Sequence, residues 1–134
     1  MDRPAGPKEP KMTAPAKTPA VAAYITRLAE SAIEAAGSAR AALAETIAAG
    51  GALDSHTFRP AMQAEAEALP WRHFLELTKG GTDTFEALGD VRAVLTRNLL
   101  ERGESQSTDA IANDNARLQR EADRQFLRST RGLG

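Results

Sequence analysis

The sequence predicts an all-α fold: a small bundle of about four helices, with a disordered proline-rich N-terminal tail and a basic C-terminal helix. Three observations predict it. Alanine supplies 27 of the 56 hydrophobic residues, and alanine is the best helix former while adding little buried area. Apolar residues recur at spacings of three and four, the period of a helix with one buried face. Val, Ile and Thr are scattered, and no strict alternation over five or more residues marks a strand.

The elements follow in order. Residues 1–17 read as a disordered tail, because Pro4, Pro7, Pro10 and Pro15 alternate with Ala, Lys and Glu and no apolar face forms. Its charges Lys8, Lys11 and Lys17 leave open a spacer or a partner-binding arm. Thr18 is a good N-cap and Pro19 suits the first helical position, so a helix starts there and runs to Ala49 before Gly50-Gly51. Val21, Ile25, Leu28, Ala32, Ala35, Ala39 and Leu43 form its stripe, bulky at the start and small in the middle. Gly37-Ser38 is a weak point where a kink or break is expected. Residues 53–60 read as a loop with cap chemistry at Asp54, Ser55 and Thr57.

A second helix covers about 59–69, with Pro60 in its first turn and Leu69-Pro70 interrupting it. A short third piece, 71–78, carries Trp71, Phe74, Leu75 and Leu77, the densest apolar spot in the chain. Asp83 and Glu86 have the spacing of a capping box for a helix over 83–102, whose stripe is Phe85, Leu88, Val91, Leu95 and Leu99 and whose stop is Gly103. Residues 103–108 form a polar linker, and a last helix covers about 109–128 before residues 131–134 fray. Residues 18–102 make the helical domain, and 109–134 the Arg-rich C-terminal helix and its end. So few large side chains give a modest core, which oligomerisation or a partner would help.

Composition excludes several functions. There is no cysteine, so disulfide scaffolds, thiolate metal sites and Cys nucleophiles are ruled out. Seventeen Lys and Arg against eighteen Asp and Glu give a net charge of -1, with no general attraction to nucleic acid or acidic membrane. No stretch of about 18 apolar residues occurs, and five prolines break the first twenty residues where a signal peptide would need an apolar core. Together these point to the cytoplasm.

Candidate chemistry is sparse. His56 lies two residues after Asp54, and His73 three before Glu76. Either pair is suited to acid–base work, but a cap-region histidine and a helix-surface ion pair explain them better, because no nucleophile accompanies them. Neither His-Glu-x-x-His nor the paired Glu-x-x-His of a di-iron bundle is present. Gly50-Gly51 and Gly80-Gly81 lack the pattern of phosphate-cradling loops. No catalytic, cofactor-binding or metal-binding residue is expected.

The sharpest pattern is basic. Arg117, Arg120, Arg124, Arg128 and Arg131 step by three, four, four and three, which sets five guanidinium groups along one helix face. Arginine suits bidentate contact with carboxylate or phosphate. The competing reading is a solvated face with ion pairs Arg117–Glu121, Arg120–Asp123 and Glu121–Arg124. Trp71 and Phe74 are candidate aromatic anchors for a partner. A place in the chain's own core competes with that and is favoured by ordinary burial.

The expected function is therefore a non-enzymatic helical interaction module: an adaptor, regulatory or structural subunit with a protein partner or a second copy. Its partner-binding residues would be Arg117, Arg120, Arg124, Arg128, Arg131, Trp71 and Phe74. An acidic partner or anionic surface suits the last helix, whereas nucleic acid is disfavoured, since Phe126 is the only aromatic nearby. In its Ala-rich helices with a disordered end, the chain is similar in overall style to phasins, the proteins that coat polyester granules. That resemblance implies an amphipathic surface coat as the alternative. A small subunit of an enzyme complex is the second alternative.

Overall fold

The computed structural model describes residues 17–51, 54–102 and 110–133. It holds four helices: α1 (Pro19–Ala48), α2 (Ser55–Lys79), α3 (Thr84–Arg102) and α4 (Ala110–Ser129), with no strand among the described residues. The expected tail apart from Lys17, the whole polar linker and the Gly103 stop lie outside the described residues.

Local signals set the helix ends. The Thr18 side chain accepts from the Val21 amide at 3.2 Å, with Pro19 at the first position, as the cap rule requires. Gly50 closes α1 at φ +79°, where its amide donates to Ile47 O and that of Gly51 to Thr46 O. Gly81 closes α2 in the same way at φ +106°, with Gly81 donating to Thr78 O and Thr82 to Leu77 O. Both turns are Schellman motifs, which need a left-handed residue that glycine supplies without a Cβ clash. Asp83 caps α3, accepting from the Phe85 and Glu86 amides at 3.0 and 3.3 Å.

Four expectations need correction. Gly37-Ser38 does not break α1, which is continuous, because helix on both sides carries a single unfavourable glycine. Asp54 opens α2 directly instead of sitting in a loop, its carboxylate accepting from the Thr57 amide and hydroxyl, both at 2.9 Å. The two short pieces on either side of Leu69-Pro70 are one helix, with Pro60 and Pro70 inside it. Residues 131–133 form a turn rather than fraying, and Leu133 packs against the core.

The passage through Pro70 has a physical reason. Proline has no N–H to donate to the carbonyl four residues earlier, so Ala66 O loses its helical partner. Gln119 of α4 supplies the replacement, its Nε2 donating to Ala66 O at 3.1 Å. The Asp123 carboxylate accepts from the same amide at 2.9 Å and fixes its orientation. At Pro60 the carbonyl released is that of His56, in the exposed first turn, where water can serve.

The core sits towards one end. Ile25, Ala29, Trp71, Phe74, Ala87, Leu88, Val91, Leu95 and Phe126 form a single buried cluster drawn from all four helices. Trp71 stands edge-on to Phe74 at 5.6 Å and tilted against Phe126 at 4.6 Å, arrangements that ring quadrupoles favour. Towards the other end the buried residues of α1 and α2 are Ala36, Ala61, Ala66 and Ala68. There α1 and α2 are tied by Glu65, which accepts from Arg40 at 2.5 Å and pairs with Arg72.

Candidate functional site

The basic face of α4 is oriented by what α4 buries. Ala122, Asp123, Phe126 and, just past the helix end, Thr130 are all buried and lie on one side of the helix. Arg117, Arg120, Arg124 and Arg128 fall on the opposite side at 100° per residue, and Arg131 follows in the turn beyond the helix. Arg117, Arg124, Arg128 and Arg131 are exposed, and Arg120 is half-buried beside α3. The sequence pattern thus becomes an outward ridge on a helix whose inner side is clamped by Phe126, by Gln119 and by α3.

The charges on this ridge are only partly neutralised. Of the anticipated pairs, Glu121–Arg124 is present at 3.5 Å on open surface, a geometry worth little. Arg117, Arg120 and Asp123 each have interactions of their own. Arg92 of α3 reaches α4. Its Nη1 donates to Leu127 O at 2.7 Å and to Thr130 Oγ1 at 2.5 Å, and the Thr130 hydroxyl in turn donates to Phe126 O at 2.7 Å. Burial, and after it the nearby Arg131 charge, hold the Arg92 guanidinium below its ordinary range. No local signal could reveal this contact, since Arg92 and Thr130 are 38 residues apart.

Trp71 and Phe74 are not available as anchors. Phe74 is fully buried and Trp71 is 7% exposed, both within the core cluster. A chain with few large side chains spends its aromatics on its own core, so a partner would have to open the bundle to reach them.

A groove of about 780 Å³ runs between α2, α3 and α4 beside Arg120. Val91, Val94, Leu95 and Leu99 form one wall, and Arg72, His73, Glu76, Asn98, Gln119 and Asp123 bring polar groups to it. It contains one histidine. His56 lies seventeen residues from His73 along the same helix, about 25 Å away at 1.5 Å per residue, so the two do not meet. Asp54 is committed to its cap: the Thr57 backbone bond and then the Thr57 hydroxyl bond hold its carboxyl below the usual range, against a small opposing effect of burial. Among the described residues no group of three or more His, Asp or Glu has the arrangement of a metal site, and no helix is long and apolar enough to cross a membrane.

No protein-family model matches this sequence, and no curated protein or solved structure shows significant similarity to it.

Proposed function

We propose that the protein is a non-catalytic helical interaction module that binds an acidic protein partner along the outer face of α4. One observation carries this reading: the arginine ridge is held outward on a helix whose other side is fastened into the bundle. The backbone that carries these charges is already ordered, so only side-chain freedom is lost when they engage a partner, and their placement favours a specific contact. Guanidinium forks also match carboxylates bidentately, which suits an Asp- or Glu-rich segment.

The surface-coat alternative asks for a long exposed apolar face. The exposed large apolar residues among those whose burial is described are Tyr24, Ile47, Leu69 and Leu100, spread over three helices, with none on α4 from residue 115 on. That distribution favours the protein partner over the coat.

The test is fluorescence anisotropy with a labelled poly-glutamate peptide at low salt, with anionic vesicles in parallel. The peptide should bind in a salt-dependent way, and Arg124→Glu with Arg128→Glu should weaken it about tenfold or more with an unchanged thermal melt. Equal binding by that variant overturns the reading. So does capture by vesicles, with a gain in helix, when the peptide does not bind.

A further inference from the structure

We propose that Arg92 of α3 and Arg131, just beyond α4, form a two-guanidinium clamp for a phosphoryl group on the protein partner, at the C-terminal end of the basic ridge. This rests on the reading of α4 as the docking face and names what one end of that face recognises.

The fold brings the two cations towards one another from α3 and from the turn that follows α4. Arg92 is anchored along one edge, through Nη1, on Leu127 O and on the hydroxyl of the fully buried Thr130. A guanidinium carries five N–H donors in a fixed fork, so this anchoring leaves donors on its other edges. Arg131 directly follows Thr130, is exposed, and is turned back by its amide bond to Arg128 O at 3.3 Å. It is close enough for its charge to act on Arg92. Arg128 flanks them on the same ridge and is exposed.

Among the described residues Arg92, Arg128 and Arg131 have no ion pair, and Glu121, the exposed acid of α4, is turned to Arg124. Like charges held together without an acid between them are favourable only when an anion joins them. The bonds from Arg92 also offset the negative end of the α4 dipole, which would otherwise repel such a ligand.

The chemistry points to phosphate rather than a single carboxylate. A phosphorylated side chain carries a charge of about -1.5 to -2 and three acceptor oxygens. Two forks approaching from different segments can share those oxygens, whereas one carboxylate is satisfied by one fork. A nucleic-acid source is disfavoured by the net charge of -1 and by the burial of Phe126, the aromatic nearest the site. A lipid source is disfavoured because Ala122 and Phe126, on the apolar side of α4, are already buried in the bundle.

The experiment uses the full chain and one Glu-rich peptide sequence in three forms, with serine, glutamate or phosphoserine at a central position. The phosphoserine form should bind about tenfold more tightly than the serine form. Arg131→Gln should remove most of that gain, and Arg92→Lys should do the same, with the thermal melt checked because Arg92 also holds α4. Arg124→Glu with Arg128→Glu should weaken all three forms. Inorganic phosphate, titrated against chloride at equal ionic strength, should shift the Nε–Hε resonances of Arg92 and Arg131 and leave those of Arg27 and Arg97 in place. Equal affinity for the serine and phosphoserine forms overturns the clamp alone, and so does a gain that survives in Arg131→Gln. Binding of none of the three peptides overturns both the clamp and the docking reading. A DNA duplex that displaces the phosphopeptide, and is itself sensitive to Arg131→Gln, overturns the assignment to a protein partner.

Discussion

The two ends of this bundle are held together by different physics. At the end containing the start of α1 and the finish of α2, large side chains from all four helices meet: Ile25, Trp71, Phe74, Leu88, Val91 and Phe126. Each fully buried side chain of this size contributes about 1.5–3 kcal/mol. At the other end the interior of the α1–α2 pair is alanine, namely Ala36, Ala61, Ala66 and Ala68. Alanine buries little area but lets helices approach closely and costs the helix nothing. There the polar ties matter more, and Glu65 joins Arg40 on α1 to Arg72 on α2. Helices can therefore be fastened by bulk or by fit, and α4 uses the first at Phe126 and a polar latch at Gln119.

The sharpest way to break this contrast is at the aromatic end. Phe126→Ala should cost about 3–5 kcal/mol and release α4, seen in urea unfolding and in loss of amide-exchange protection on α4. The opposite change at the alanine end, Ala36→Leu, should cost about 1–3 kcal/mol through overpacking and leave α4 protected. A larger loss from Ala36→Leu than from Phe126→Ala would mean that fit, rather than bulk, dominates the whole molecule.

Next in size is the latch. Gln119→Ala strands the Ala66 carbonyl, which Pro70 cannot serve, and should cost about 1–3 kcal/mol. Pro70→Ala restores an N–H at that position, so the double variant should recover much of the loss. A double-mutant cycle reads this directly, and strictly additive effects would remove the proposed link between Pro70 and Gln119.

The smallest effect concerns pH. Hydrogen bonding by Arg72 holds the Glu65 carboxyl below its ordinary value of 4.5, burial opposes this, and Arg72 and Arg40 charges add to the lowering. A carboxyl depressed by folding stabilises the folded state above its unfolded value and loses that contribution as pH falls through the folded one. Glu65 is 42% exposed, so solvent screening limits the effect to about 0.5–1 kcal/mol. Chemical denaturation should show stability falling below about pH 4.5, and Glu65→Gln should flatten that part of the profile.

The α-helical class, the caps at Thr18 and Asp83 and the glycine stop at 50 were legible in the sequence, because each depends on residues a few positions apart. The arginine ridge was legible for the same reason: helical periodicity alone aligns its members. Three things were settled only by tertiary structure. Whether Pro70 ends a helix depended on a donor 53 residues from Ala66. Whether Trp71 and Phe74 face a partner or the core depended on Phe126 arriving from α4. Arg92 gained its role only when α3 was laid beside the end of α4. Local rules place a cap or a stripe because the interacting atoms are covalently near. A buried carbonyl, an aromatic face or a lone guanidinium takes its meaning from whichever distant segment satisfies it, and that is fixed by packing.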